Sequence, residues 1–193
     1  MVEILKESLA GLDHVSVILE DFLKSDISAL TGFKIDVCAN LPYYITTPLL
    51  FKLMELDVNQ MTLMVQKEVG DRLSAVPNTK DYNARWIQFH YYFDIKRVMR
   101  VSKASFHSQP DVESIVLKMT PKNNTMPYDE RAFFEFVRGC FQFRRKTLQN
   151  NLKQIGLDNI AKRLQKIDID PQIRAESLIL EDFMRMYEVF YHA

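Results

Sequence analysis

Ile35-Asp36-Val37-Cys38-Ala39-Asn40-Leu41-Pro42-Tyr43-Tyr44 is the stretch whose reading decides the fold of this chain. Apolar Ile35, Val37 and Ala39 alternate with Asp36 and Cys38, which is the period of a short, largely buried strand. Pro42 ends the strand, because proline brings no backbone N–H to a ladder and drives Leu41 toward extended geometry. The chain therefore leaves the strand through a rigid loop at its carboxyl end, where open α/β sheets receive their ligands. The loop offers an amide side chain, carbonyls without ladder partners and an aromatic face.

Such a set suits methylation of an exocyclic amine. The N6 lone pair of adenine is delocalised into the ring, so that nitrogen is a poor nucleophile. Acceptors that take hydrogen bonds from its N–H groups pull it toward tetrahedral geometry and localise the pair. The Asn40 side-chain oxygen and the Leu41 carbonyl can accept in this way while Tyr43 stacks on the ring. No strong base is needed and none is visible. An ordinary strand-to-helix turn with a surface tyrosine carries the same residues, so the stretch alone leaves both readings open.

Outward from the loop, Thr46 or Thr47 reads as the N-cap of a helix that has Pro48 near its start and runs to about Leu56. Met61 to Val65 is the next buried strand, and Lys67 to Ala75 a helix closed by Pro77-Asn78. Tyr82 to Phe93 is aromatic-rich without a period that separates helix from strand, and Trp86 within it reads as a core or interface residue. Val98 to Val101 is strand-like, and Val112 to Met119 reads as a final strand buried on both faces. Before the central loop, residues 3–10 are helical in pattern with Gly11 as C-cap. Val15 to Leu19 is a β-rich run ending at Glu20-Asp21, and Asp26 and Ser28 belong to a connecting turn or short helix.

Pro121 to Pro127 is a polar linker bounded by two prolines. Everything after it is helical in pattern: Glu130 to Phe141, with Phe133, Phe134, Val137 and Phe141 on one stripe, then Arg145 to Ile155, Asn159 to Ile167 and Leu180 to Tyr191. The expected divisions are residues 1–122 and 123–193. Within the second, the cluster Arg144-Arg145-Lys146 is a candidate phosphate contact, and a solvated helix face is the plain alternative.

At 193 residues and 47% apolar composition, with 13 Phe and 9 Met, the chain can bury a sizeable core. No apolar run approaches the roughly 18 residues of a membrane span. Cys38 and Cys140 lack zinc-ligand spacing and are expected as buried free thiols in a reducing cytoplasm, and no metal site is expected. Lys plus Arg and Asp plus Glu both total 25, so RNA affinity must come from local patches.

Asn40 to Leu50, with Ile45-Thr46-Thr47-Pro48 inside it, closely resembles motif IV of the rRNA adenine N6,N6-dimethyltransferases. Its double tyrosine is more similar to the bacterial small-subunit enzymes than to the erythromycin-resistance methylases. Further matches follow in order: Gln66-Lys67-Glu68-Val69; Phe106 with Pro110, Val112 and Ser114; Phe141 to Leu148 with Asn150-Asn151-Leu152; and Arg174 to Leu178. Ordered matches over nearly the whole chain are far more specific than any one of them.

The resemblance implies an α/β, Rossmann-like methyltransferase sheet followed by a small all-helical C-terminal domain. It implies S-adenosylmethionine as cofactor, with Asp21 at its adenine and Asn40 near the transferable methyl. Asn40, Leu41, Pro42 and Tyr43 become catalytic, Phe106 becomes the second aromatic jaw opposite Tyr43, and Arg144, Arg145 and Lys146 meet RNA. The implied partner is small-subunit rRNA in a pre-30S particle.

Family members open with a strand, a Gly-rich loop and a helix, then a second strand ending in a ribose-binding acid. This chain has 5 glycines, none in a G-x-G arrangement, and its first residues resemble the helix after that second strand. It therefore reads as an N-terminally truncated member whose sheet lacks its first strands. Weak or absent cofactor binding and self-association through the exposed sheet are the expected consequences. A non-catalytic rRNA-binding or ribosome-assembly module is the alternative function. A small-molecule or protein methyltransferase fits the aromatic pair and helical tail less well.

Overall fold

The parallel pair β1 (Ile35–Asn40) and β2 (Val58–Gln66) sets the frame, with Ile35 opposite Val58 and, after a one-residue shift, Asp36 to Asn40 opposite Gln60 to Met64. The computed structural model describes residues 2–26, 34–107 and 110–192, so Ser28, Ser108 and Gln109 lie outside the described residues. A parallel pair needs a crossover, and α2 (Thr46–Leu53) provides it by burying Leu49, Leu50 and Leu53 against the sheet. β4 (Ser114–Pro121) joins β2 antiparallel, with Ser114 opposite Gln66, and β3 (Phe93–Val101) joins β4 antiparallel. The sheet order is β1-β2-β4-β3. The carboxyl ends of β1 and β2 and the start of β4 therefore share one end of the sheet.

Alternation makes the sheet core. Met61, Leu63 and Val65 from β2 meet Ile115, Leu117 and Met119 from β4, all at 1% exposure or less. Complete burial of such side chains is worth about 1.5–3 kcal/mol each. α3 (Lys67–Leu73) follows β2 directly and packs so closely that a Cβ on Gly70 would overlap Ile115 Cγ2. α4 (Ala84–Tyr92) resolves the aromatic stretch as a helix with two apolar faces. Trp86 and Phe89 join the sheet core, and Ile87 and Tyr91 join the helical core beyond.

That second core is built by α5 (Glu130–Cys140), α6 (Leu148–Gln154), α7 (Ile160–Gln165) and α8 (Leu180–Tyr191). It is tied back to the sheet part by polar contacts. Tyr82 Oη donates to the Leu178 carbonyl at 2.8 Å, Asn78 N to the Glu176 carbonyl at 2.7 Å, and the Tyr91 and Tyr92 hydroxyls both donate to the Glu130 carboxylate.

Several expectations are corrected. Val15 to Leu19 is not a strand: it follows α1 (Val2–Ser8) as irregular chain, with Ile18 and Leu19 74% and 80% exposed. A strand exists only where its backbone groups find a ladder, and among the described residues β1 pairs on one side only. β1 is half-buried on the face of Ile35, Val37 and Ala39 and open on the face of Asp36, Cys38 and Asn40. Cys38 lies on the open face and is exposed, whereas Cys140 is buried, which pushes its thiol pKa well up. Neither Thr46 nor Thr47 caps α2; Ile45 precedes the helix, and Thr46 is its first residue. β4 is buried on both faces only at Ser114 and Ile115, after which Lys118 and Thr120 face solvent. The helix expected from Arg145 begins at Leu148, where Thr147 Oγ1 accepts from Asn150 N, so the basic cluster stands on a turn.

Candidate active site

The loop after β1 is held from three sides. Leu41 N donates to the Met64 carbonyl at 3.0 Å, which extends the β1–β2 ladder by one residue. Pro42 then turns the chain into a single 3-10 turn, Tyr43–Ile45. Thr46 Oγ1 donates back to the carbonyls of Pro42 at 2.8 Å and Tyr43 at 3.3 Å, and the Tyr43 hydroxyl meets Ser114 Oγ at 2.5 Å. Backbone and side chain of Tyr43 are thus both tethered.

Two acceptors stay unused. Among the described residues, neither the Asn40 side-chain amide nor the Leu41 carbonyl has a hydrogen-bond partner. Asn40, Leu41, Pro42, Tyr43, Phe106 and Pro110 line one cavity of 270 Å³. That is smaller than the roughly 300–1,000 Å³ of pockets for drug-sized ligands, a size for one planar base. Asn40 is exposed and Phe106 half-buried, so the cavity opens to solvent.

On the other side of Leu41 and Pro42 lies a larger cavity of 650 Å³, mostly apolar, with Asp21, Phe22, Val37, Ala39 and Tyr44 in its walls. Asp21 sits at the rim and is exposed. One carboxylate oxygen accepts from Leu23 N at 3.1 Å, and Lys24 lies 3.7 Å away. The two cavities share the Leu41–Pro42 wall. Tyr44 is 87% exposed and belongs to the larger one, so the two tyrosines face different spaces.

The basic cluster divides. Arg144 Nη2 donates to the Lys80 carbonyl at 2.7 Å and its guanidinium lies 3.7 Å from Glu176, so it bridges the helical part to the sheet part. Arg145 and Lys146 are exposed on the same turn. A cleft of 750 Å³ between α2, α4 and α5 adds Arg72, Arg85 and Arg138, which the sequence reading did not single out. Among the described residues Arg85 has no ion-pair partner.

Sequence reasoning named Ser114 only within a family match and Thr46 only as a possible N-cap, not as residues that hold the loop. Ser114 opens β4 and Thr46 opens α2, both at buried positions; a polar residue at an expected core position was the signal. Among the described residues no group of three or more His, Cys, Asp or Glu side chains is placed to hold a metal ion.

Comparison with known proteins agrees in sequence and in fold. The family model described as ribosomal RNA adenine dimethylase matches residues 1–192. Ribosomal RNA small subunit methyltransferase A of Bacillus cytotoxicus is 43% identical over 200 residues, covering 95% of this chain and 68% of the relative. The protein of the same name from Staphylococcus haemolyticus is 41% identical over 204 residues, covering 97% and 69%. A dimethyladenosine transferase from Plasmodium falciparum superposes with a TM-score of 0.81 at 23% identity, over 96% of this chain and 76% of that one. The 23S rRNA methyltransferase ErmE superposes with a TM-score of 0.75 at 18% identity, over 98% and 77%. The fold is thus that of rRNA methyltransferases, and the chain belongs to the ribosomal RNA adenine dimethylase family.

Proposed function

We propose that this chain carries the target-base half of an rRNA adenine N6,N6-dimethyltransferase site acting on small-subunit rRNA, with S-adenosylmethionine as the methyl donor. The observation that carries the reading is the pair of cavities on opposite sides of Leu41 and Pro42. One offers two unpaired acceptors and two aromatic rings to a base; the other offers Asp21 and an apolar wall to a donor.

The residues present fit only part of the donor. Asp21 would accept from its adenine amino group, and Phe22, Val37 and Ala39 would supply apolar surface. The sequence has no G-x-G loop to cradle its methionine part. When bound, the donor supplies an electrophilic methyl. The chain's own residues do the rest. Tyr43 and Phe106 sandwich the adenine, which leaves its stack to reach them. Asn40 Oδ1 and the Leu41 carbonyl accept from N6 and localise its lone pair. Among the described residues the cavity lining contains no carboxylate or imidazole, so the displaced proton goes to solvent at the open mouth.

Arg145, Lys146 and the Arg85–Arg138 cleft supply phosphate contacts for a pre-30S particle, which offsets the lack of net positive charge. Residues 1–122 act as the base and donor part and residues 123–193 as the rRNA-contacting part. Among the described residues one edge of β1 is unpaired, and a second copy of the chain can cover it by self-association. Two unpaired thiols fit the reducing cytoplasm. Among the described residues no helix is long and apolar enough to cross a membrane.

The arginine-lined cleft between α2, α4 and α5 would equally serve a second reading, an rRNA-binding module without turnover. Incubation with labelled S-adenosylmethionine and immature small subunits separates the two. Labelled N6,N6-dimethyladenosine in the rRNA hydrolysate that falls roughly a hundredfold in Asn40→Ala establishes the enzyme. Particle binding without label establishes the module.

A further inference from the structure

Four polar side chains are buried among the described residues: Ser25, Thr46, Ser114 and Asn151. Two of them converge on Tyr43. Thr46 Oγ1 holds its backbone carbonyl, and Ser114 Oγ, 71 positions away in sequence, meets its hydroxyl at 2.5 Å. We propose that Ser114 is a positioning residue for the base slot, its hydroxyl locking the Tyr43 ring at the angle that stacks on a purine held against Phe106. The inference rests on the adenine-methylation reading above.

Ser114 suits this role by where it sits. It is fully buried and is the first residue of β4, opposite Gln66 on β2 and Val101 on β3. Strands on both sides hold its backbone, so it cannot drift with the loop it anchors. Tyr43 is half-buried and rides on one 3-10 turn. Without a tether its ring would explore its side-chain rotations and present a blurred face to a base.

Packing alone gives no reason for a serine at this position. The next residue, Ile115, is apolar, as are Leu117 and Met119 further along the strand, and a buried hydroxyl without a partner costs stability. Among the described residues Tyr43 is the one side chain that pairs with Ser114 Oγ.

The test uses the full chain as wild type, Ser114→Ala, Tyr43→Phe and the double variant. The probe is a small-subunit rRNA fragment with 2-aminopurine in place of its target adenines, whose fluorescence is quenched on stacking. Each single variant should weaken slot occupancy by roughly threefold to tenfold, the range of one hydrogen bond. Total RNA affinity by filter binding should stay unchanged, a separation that a merely structural residue would not produce. The double variant should be no worse than either single one, because both remove one contact. Tyr43→Phe opens no hole at Ser114, so it carries the test alone if Ser114→Ala fails to fold. Wild-type quenching that both single variants retain, or losses that add, overturns the role of Ser114 alone. Absence of quenching by the wild type overturns the base slot itself, and the inference with it.

Discussion

Asn151 on α6 grips Phe143 by both of its backbone polar groups: Oδ1 accepts from Phe143 N at 2.9 Å, and Nδ2 donates to the Phe143 carbonyl at 3.3 Å. Asn151 is 1% exposed, and Phe143 is the residue before Arg144. A buried amide therefore shapes the basic turn from within. Asn151→Leu leaves the Phe143 N–H unpaired, whereas the Phe143 carbonyl keeps Lys146 N at 2.9 Å; the change should cost about 1–3 kcal/mol, read as a lower urea midpoint. RNA affinity should fall by as much as in an Arg145→Ala/Lys146→Ala double variant. Full affinity in Asn151→Leu would show that the turn needs no clamp.

The turn itself should respond unevenly. Arg145 and Lys146 are exposed, and substituting either with alanine should lower the salt slope of rRNA binding by about one unit. Arg144 is committed to Lys80 and Glu176. Arg144→Ala should therefore leave the slope in place and lower thermal stability, because it cuts a tie between the two parts. Filter binding across a salt series with parallel melts checks all three. An unchanged slope in every variant reduces the cluster to a solvated surface.

Donor binding by this chain should be weak. Asp21 and the apolar wall of the larger cavity are present, and a G-x-G cradle is not. Hydrogen bonds to a charged group are worth about 1.5–3 kcal/mol each, and every 1.4 kcal/mol is tenfold in affinity. Lacking two of them moves a micromolar site to roughly millimolar. Calorimetry with S-adenosylmethionine gives the answer directly. A micromolar constant would mean that other residues, or a second copy of the chain, complete the pocket.

Stability should fall as the solution is acidified, with His90 as one cause. Burial lowers its pKa, nearby Lys122 lowers it further, and the Leu73 carbonyl opposes both; its Nε2 is buried with no partner among the described residues. The unfolded chain thus binds a proton near the ordinary histidine pKa of about 6.5 that the folded chain refuses. Stability from this group is complete above that value, is lost as pH drops through it, and levels off below the folded pKa. Urea midpoints between about pH 7.5 and 5.5 should decline less in His90→Gln than in the wild type. Equal declines would remove His90 from the account.

The sequence by itself determined whatever depends on neighbours along the chain. Alternation in Ile35 to Ala39 and the proline at position 42 placed a strand and a rigid loop at its end, and both stand in the fold. Period-3.6 stripes marked the helical tail, with Phe133, Phe134 and Val137 all buried. Ordered motifs carried the family. Tertiary structure alone decided what depends on partners far away in sequence. Val15 to Leu19 has the composition of a strand and no ladder, Cys38 has a strand position with an open face, and α4 serves two cores. The aromatic stretch at α4 hid its period because both of its faces are apolar. Ser114 and Tyr43 stand 71 positions apart and meet only because an antiparallel strand returns to the end of the sheet where β1 stops. Periodicity is a local property that a chain displays in its own order, whereas a hydrogen-bond partner or a strand edge is set by what folds against it.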